Sequence, residues 1–159
     1  MKIIVIALGK IKKNYIRDGL NDYILRLKKY CKVKIFEIEE EIIYNKNSKK
    51  DIEKALKNEA IKIKKIIPDN AYVCALDIKG EIVSSEKIAS IIKESKVKGI
   101  DKIVFIIGSS YGLSSDIDEA VNIKISFGKI TLPHQLFRLV LLEQIYRANK
   151  IINNEPYHK

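Results

Sequence analysis

The side chains best suited to chemistry are concentrated near the end of the chain. Residues 131–159 contain both histidines and two of the four arginines, namely His134, His158, Arg138 and Arg147. Imidazole exchanges protons near neutral pH, and guanidinium offers planar, multi-donor contacts to phosphate or carboxylate. Tyr157, beside His158, could stack on a base or donate a hydrogen bond. This segment therefore predicts proton transfer or anion recognition, although composition alone favours a frayed terminal tail.

Helical spacing pairs some of these side chains. His134 and Arg138 are four residues apart, as are Glu143 and Arg147, so each pair shares one face of a helix. The second pair could be an ordinary exposed ion pair, which contributes little stability. In a chain whose basic residues are mostly lysine, however, an arginine favours a contact with phosphate or carboxylate. Both interpretations of Arg147 stay open on spacing alone.

Two glycine-containing connections are further candidates for a ligand site. The first, residues 108–112 (GSSYG), follows an apolar run and precedes a short helical segment, where backbone amides can meet a ligand. It lacks the three-glycine spacing of dinucleotide sites and the Gly-Lys-Ser/Thr ending of a P-loop, which disfavours NAD or a triphosphate. A plain tight turn is an equally good explanation. The second, residues 127–134 (FGKITLPH), contains Gly128, which permits either close approach of another group or a simple bend.

Composition narrows the class of protein. At 159 residues, with 47% hydrophobic and 31% charged residues, the chain fits one globular domain spanning residues 1–159. The N-terminal apolar run, residues 3–8, is too short for a membrane span or a signal peptide, so we expect a cytoplasmic protein. Cys31 and Cys74 are isolated and are predicted to be reduced, partly buried side chains. Neither clustered metal ligands nor a Ser-His-Asp order is present, so we expect no metal and no hydrolase site.

The net charge of +10 indicates a polyanionic partner such as RNA. Residues 1–70 contain 18 basic and 10 acidic residues, so most of the excess lies in the first half. Eight of these basic residues are predicted to form one face: Lys10, Lys12, Lys13, Arg17, Lys28, Lys29, Lys32 and Lys34. The alternative is a surface filled with lysine by biased codon usage, because 26 of the 30 basic residues are lysine.

The hydrophobic pattern predicts the elements that position these residues. Strands are expected at residues 2–8, 32–38, 71–76, 102–107 and 123–127. Helices are expected at residues 15–30, 51–67, 84–97 and 115–121, followed by a last helix that begins near Pro133. Gly80 is predicted to mark a turn. Strands that alternate with helices predict an α/β fold, with a largely parallel sheet covered on both faces.

In such a sheet, ligands bind at the carboxyl ends of the strands. The loops that follow Leu76, Ile107 and Phe127 are therefore the expected walls of a site. The last helix raises a separate question, because residues 136–152 are apolar at eleven of seventeen positions. That is too many for a single buried stripe, so we expect this helix to be covered on more than one side.

Three segments closely resemble the ribosomal RNA large subunit methyltransferase H family. They are VCALDIKG at 73–80, FIIGSSYGL at 105–113 and ISFGKITLPHQLFRLVLLEQIYRANKIINNEPYHK at 125–159. The opening residues MKIIVIALGKIK match as well, so the resemblance spans essentially the whole chain. One departure is Ser109, since family members usually carry a second glycine there. The family consists of SPOUT-class enzymes that methylate N3 of a pseudouridine in bacterial 23S rRNA.

The resemblance implies a SPOUT-type α/β fold with a C-terminal trefoil knot, in which S-adenosyl-L-methionine binds. Its implied cofactor-binding residues are Leu76, Gly108, Phe127, Gly128, Lys129, Ile130, Thr131 and Leu132. It also implies a homodimer with the last helix at the subunit interface, which would account for the apolar excess and allow each site to be completed by the other protomer. The implied substrate is 23S rRNA in the assembled ribosome.

Within this resemblance, each reactive side chain has an expected role. His158 is expected to accept the N3 proton directly or through water, Arg147 to stabilise negative charge on the base carbonyls, and Tyr157 to position the ring. Arg138 and His134 are expected to contact RNA phosphate or to hold the tail. Two alternatives are a non-enzymatic ribosome-binding factor, which predicts no binding of S-adenosyl-L-methionine, and a Rossmann-like enzyme, which predicts affinity for ATP or NAD.

Overall fold

The computed structural model describes residues 1–157, in which five strands alternate with helices. The strands are β1 (Lys2–Leu8), β2 (Lys32–Ile38), β3 (Ala71–Ile82), β4 (Lys102–Ile107) and β5 (Ile123–Ser126). The helices are α1 (Asn14–Leu27), α2 (Lys49–Lys64), α3 (Ser85–Val97), a 3-10 helix (Ser115–Ala120) and α4 (His134–Ile152).

The strands form one sheet in the order β2-β1-β4-β3-β5, and every pair is parallel. The central strands β1 and β4 are buried along nearly their whole length, which explains their continuous runs of Ile and Val. The predicted α/β class with a parallel sheet is confirmed, and β1, β2 and β4 have the predicted bounds.

Helices cover both faces of the sheet, as predicted. Alternate side chains of β1 point to opposite faces, so Ile3 and Val5 pack with α1, α3 and α4, whereas Ile4 and Ile6 pack with α2 and the 3-10 helix. The carboxyl ends of the strands lie together at one edge of the sheet, which we call the carboxyl edge. The amino edge is the opposite one.

The predicted turn at Gly80 is wrong, because β3 continues to Ile82. Leu76 and Glu81 both pair with Ile125 of β5, so the intervening residues leave the ladder as a bulge. A Cβ atom on Gly80 would lie 2.7 Å from the backbone nitrogen of Ile125. The glycine therefore permits a close approach of two backbones and does not end the strand.

The apolar excess of α4 is largely covered within one chain. This helix packs on the sheet between α1 and α3, and Leu141, Leu142 and Ile145 are at most 1% exposed. Leu139 faces α1, where a Cβ atom on Gly19 would lie 3.0 Å from its methyl carbon. The expectation of cover on more than one side is confirmed, but the cover for these residues is the chain itself and does not require a partner subunit.

Both cysteines, Cys31 and Cys74, are free and buried. Burial raises the pKa of their thiols to about 11 and about 12, respectively, so both remain protonated, inert side chains. No helix within residues 1–157 has the length and apolarity needed to cross a membrane. The trefoil knot stays a prediction.

Candidate functional site

A cavity of about 450 Å³ opens at the carboxyl edge, between the bulge of β3 and the loops that follow β4 and β5. Its walls come from residues 76–79, 107–113 and 125–132, together with the first turn of α4. The sequence pattern selected all three segments, but the one after Leu76 is a bulge within β3 and not a loop at the end of a strand. The volume lies within the range of small-molecule sites.

Seven of the eight residues named as cofactor-binding line this cavity: Leu76, Gly108, Phe127, Gly128, Ile130, Thr131 and Leu132. Lys129 lies between two of them in sequence but is not part of the lining. The structure therefore brings the predicted walls together at one place.

The glycine loop 108–112 is a tight turn that tolerates no side chain at its first position. A Cβ atom on Gly108 would lie 2.5 Å from the carbonyl oxygen of Gly112, whose own φ is +89°. The amide of Gly112 donates to the carbonyl oxygen of Ser109 at 2.9 Å. Both glycines are thus required by backbone geometry, and the loop presents main chain to the cavity.

Ser109, where the family usually has glycine, is accommodated by α2. Its side chain is buried and lies close to the Glu59 carboxyl group, which accepts the amide of Glu41 at 2.9 Å. Burial raises the pKa of Glu59, while the Glu41 amide and the Ser109 hydroxyl oppose the shift. Ser109 therefore joins the glycine loop to α2 without entering the tight part of the turn.

Phe137 was not identified from the sequence as a cavity residue. It lies on the first turns of α4 and stacks on Phe127, with ring centroids 5.2 Å apart and an interplanar angle of 17°. Such a pair forms a flat apolar wall. The available signal was its position three residues after His134, which places both side chains on one helix face.

The loop that carries Phe127 is fixed by its own polar groups. The Ser126 hydroxyl accepts the amide of Gly128 at 3.2 Å and donates to its carbonyl oxygen at 3.0 Å. Gly128 has a φ of +116°, with open space where a Cβ atom would lie. The strained φ, and not crowding, is what requires glycine there.

His134 lines the cavity as well. Its Nε2 atom lies 3.1 Å from the Ser110 hydroxyl oxygen, so the start of α4 is hydrogen-bonded to the glycine loop. The residue expected to contact RNA is thus placed at the wall of the small-molecule cavity, where it connects two of the three loops.

The expected RNA contact of Arg138 disagrees with the structure. Its side chain is 1% exposed and donates to the carbonyl oxygens of Leu8 and Gly9 at 2.6 and 2.7 Å and to the Glu37 carboxylate at 2.8 Å. These contacts hold α4 against the ends of β1 and β2. Because the guanidinium is enclosed by its own chain, no surface is left for a phosphate, and Arg138 is a structural residue.

The tail is docked on α4 as far as Tyr157, so the frayed-tail alternative is wrong for this part. The Tyr157 hydroxyl donates to the Glu143 carboxylate at 3.3 Å, and its ring lies 4.8 Å from the Arg147 guanidinium. Arg147 also donates to Glu143, at 2.6 and 3.0 Å. Burial, with the contacts to Tyr23 and Glu143, raises the pKa of Tyr157 to about 12. Tyr157 therefore stays a neutral hydrogen-bond donor.

Glu155 anchors this tail to the body of the protein. Its carboxylate accepts hydrogen bonds from Lys150 at 2.6 Å, Tyr30 at 2.8 Å and Lys29 at 3.1 Å. These three donors, Lys150 first, lower the pKa of Glu155 to about 2. His158, expected to be the proton acceptor, lies outside the described residues.

The cavity and the docked tail are two separate places in one chain. None of Glu143, Arg147 and Tyr157 lines the cavity, and nine residues of α4, about 14 Å along its axis, separate His134 from Glu143. Within residues 1–157 of a single chain, the predicted cofactor residues thus do not lie together with Arg147 and Tyr157.

The predicted basic face is also divided. Lys10, Lys12 and Lys13 follow β1 at the carboxyl edge, whereas Lys28 and Lys32 lie at the amino edge, where Lys32 pairs with Lys2. The prediction of one face is wrong, because residues close in sequence are carried to opposite ends of the parallel strands. Within residues 1–157, no cluster of three or more potential metal ligands is found.

Comparisons with known proteins agree along the whole chain. A family model described as "Predicted SPOUT methyltransferase" matches residues 1–158. The chain is 45% identical over 159 residues to proteins of Carboxydothermus hydrogenoformans and Clostridium acetobutylicum, and 44% identical to one of Clostridium botulinum. Each is named "Ribosomal RNA large subunit methyltransferase H", and each alignment covers 100% of both proteins.

Proposed function

The chain belongs to the SPOUT methyltransferase family, and on this basis we propose that it transfers a methyl group from S-adenosyl-L-methionine to N3 of a pseudouridine in 23S rRNA. The observation that carries the proposal is the cavity at the carboxyl edge, whose lining includes seven of the eight residues expected from the family. We place the reaction on the assembled ribosome in the cytoplasm, which is the context that the resemblance to the family implies.

The lining fits S-adenosyl-L-methionine in size and chemistry. The Phe127 and Phe137 rings provide an apolar wall for a flat heterocycle, and the backbone of the glycine loop provides polar groups for the ribose and amino acid portions. The bound compound supplies an activated methyl group on a sulfonium. Gly108 and Gly128 keep the loops in the conformations that this lining requires.

The remaining work of the protein is alignment and proton removal. Methyl transfer to a ring nitrogen is an in-line displacement, so the enzyme must hold the base at the methyl group and exclude water. His158 accepts the N3 proton directly or through water, Arg147 stabilises negative charge on the base carbonyls, and Tyr157 positions the ring. The support for the last two is their contact with each other and with Glu143, which fixes both side chains before the substrate arrives.

We further propose a homodimer in which the tail of one protomer completes the cavity of the other. The support is the separation of cavity and tail within one chain, together with the position of Tyr157 and Arg147 on the surface of α4. In a two-fold symmetric dimer both sites would be completed in the same way.

The test uses ribosomes from cells that lack this protein, incubated with radiolabelled S-adenosyl-L-methionine, with mass mapping of the modified nucleotide. The wild-type chain is expected to label 23S rRNA, and His158→Ala to cut methyl transfer while leaving the Kd for S-adenosyl-L-methionine, measured by calorimetry, nearly unchanged. Absence of labelling together with absence of S-adenosyl-L-methionine binding would instead support a non-enzymatic ribosome-binding factor.

Subunit complementation tests the shared site. A heterodimer of Gly108→Ala and His158→Ala subunits contains one intact cavity and one intact tail, on different chains. If the site is shared, this heterodimer regains methyl transfer at an S-adenosyl-L-methionine concentration too low to support transfer by the Gly108→Ala homodimer. A site built within one chain would leave the heterodimer inactive.

A further inference from the structure

The first half of helix α2 lies at the carboxyl edge of the sheet, on the side where the cavity opens. It runs antiparallel to the strands, from the carboxyl edge after β2 to the amino edge before β3. Glu59, in its second half, lies near Ser109 of the cavity wall, and α2 also packs against the 3-10 helix that follows the glycine loop. The ten residues that precede Glu59, residues 49–58, therefore carry the helix about 15 Å beyond this contact, on the cavity side.

The loop before α2 is held by hydrogen bonds to the second half of this helix, near Glu59. The amide of Glu41 donates to Glu59, and the Glu41 carboxylate accepts from Asn58 and Lys62. Residues 42–48, most of which are exposed, then lead to the start of α2, where the Ser48 hydroxyl accepts the amide of Asp51 at 3.2 Å. We call residues 44–58 the basic arm.

The basic arm presents a positive surface. Its five exposed lysines are Lys46, Lys49, Lys50, Lys54 and Lys57. Within the part of the chain that the structure describes, none of the five forms an ion pair, and the exposed acidic residues of the arm are only Asp51 and Glu53. By contrast, Lys10, Lys29, Lys62 and Lys150 are paired with carboxylates.

An exposed aromatic ring accompanies these charges. Tyr44 is 92% exposed, so packing within the chain does not explain it. A tyrosine ring among lysines is suited to stacking on an unpaired base while the lysines neutralise phosphates. An acidic protein surface would satisfy the lysines but would offer no base for the ring, so the aromatic group is what favours RNA.

We propose that the basic arm binds the phosphate backbone of the rRNA next to the methylated nucleotide, with Tyr44 stacked on an unpaired base. This inference rests on the proposed function, since it names the surface that holds the substrate of the same site. The arm begins at the carboxyl edge, and α2 packs against the 3-10 helix that follows the glycine loop of the cavity. It thus provides a positive surface for the substrate at the edge where the cavity opens.

A matched pair of triple variants tests the arm. The arm variant is Lys50→Gln, Lys54→Gln and Lys57→Gln. The control variant is Lys64→Gln, Lys65→Gln and Lys98→Gln, three exposed lysines at the amino edge that remove the same net charge. Glutamine keeps the helix propensity of lysine, so both variants are expected to fold, which far-ultraviolet circular dichroism verifies.

The measurement is the salt dependence of binding to unmethylated ribosomes, with steady-state kinetics alongside. Every phosphate that a lysine no longer neutralises reduces the slope of log K against log salt by about 0.7 to 0.9, so the slope of the arm variant, with three lysines replaced, should be smaller in magnitude by about 2 to 3 than that of wild type. Its KM for ribosomes should rise at least about tenfold, with kcat at saturation and the Kd for S-adenosyl-L-methionine unchanged. Tyr44→Ala should raise KM without changing the slope.

Two outcomes would overturn the inference. Equal reductions of the slope in the arm and control variants would mean that net charge alone matters, and a wild-type slope in the arm variant would mean that these lysines do not contact RNA. The binding slope is measured without turnover, so it tests the arm even if the wild-type chain transfers no methyl group. Absence of methyl transfer by the wild-type chain would instead contradict the proposed function.

Discussion

Replacing Arg138 by methionine should unfold the protein at much lower denaturant concentration. The substitution removes the hydrogen bonds to the Leu8 and Gly9 carbonyl oxygens and to the Glu37 carboxylate. Methionine fills most of the volume but donates nothing, so two main-chain acceptors and a partly exposed carboxylate are left without their donor. Each hydrogen bond between the charged guanidinium and a main-chain carbonyl oxygen contributes about 1.5 to 3 kcal/mol, so losing the two costs about 3 to 6 kcal/mol. That is a large share of the roughly 5 to 15 kcal/mol that stabilises a typical domain.

The matched control is Arg26→Met. Arg26 donates to Asp22 at 2.8 Å on the surface of α1, with both side chains about half exposed. An exposed pair of this spacing contributes about 0.3 to 0.5 kcal/mol. The two variants therefore remove the same residue type from opposite environments, and the expected difference between them is several kcal/mol.

Urea unfolding, followed by circular dichroism at one fixed protein concentration, measures both variants. Equal m-values would license comparison of the midpoints, because the m-value reports the surface exposed on unfolding. A destabilisation below about 1 kcal/mol for Arg138→Met, or one no larger than that of Arg26→Met, would refute the argument from burial. An RNA contact by Arg138 would instead give normal stability and a weaker salt dependence of RNA binding in the variant.

Further predictions concern the glycine loop and the tail anchor. Gly108→Ala should raise the Kd for S-adenosyl-L-methionine at least about tenfold in calorimetry, because its Cβ atom would lie 2.5 Å from the Gly112 carbonyl oxygen. Unchanged affinity would show that the loop can move aside at no cost. Glu155→Gln should loosen the tail. In the folded protein the pKa of Glu155 is about 2, below its usual value. The ionised carboxylate therefore stabilises the docked tail above the unfolded pKa, and this stabilisation is lost as the pH falls from about 5 to 2. Proteolysis of the wild-type tail should therefore become faster as the pH falls through that range, and the tail of Glu155→Gln should be cleaved faster already at about pH 7. Equal cleavage rates of the two proteins at neutral pH would contradict the role of Glu155 as an anchor of the tail.

The elements that sequence predicted well are those decided by hydrophobic period and burial. β1 and β4 have the expected bounds because a buried parallel strand needs a continuous apolar run. β2, at one side of the sheet, has the expected bounds because its polar and apolar residues alternate. The bulge in β3 was not predictable, since Gly80 permits a turn or a close approach, and only the position of Ile125 decides between them. The strand-end loops were predictable as cavity walls because parallel strands bring their carboxyl ends to one edge.

The side chains that sequence assigned less well are the arginines. Arg138 and Arg147 lie nine residues apart on α4, and both belong to pairs with the same four-residue spacing. One is enclosed by the ends of β1 and β2, and the other lies over Tyr157 at the surface. Spacing along a helix fixes which face a residue occupies, but whether that face meets the sheet edge or the solvent depends on neighbours distant in sequence.

The arrangement of the site also predicts which substitutions should lower kcat for methyl transfer. The cavity loops are fixed by Gly108, Ser126 and the bond between His134 and Ser110, and the tail is fixed independently through Glu155. If two rigid parts meet only across a subunit interface, the distance between methyl donor and base is set by how the protomers pack. Misalignment of about 1 Å can cost a hundredfold in rate. Substitutions at the interface should then lower kcat more than they lower affinity for S-adenosyl-L-methionine.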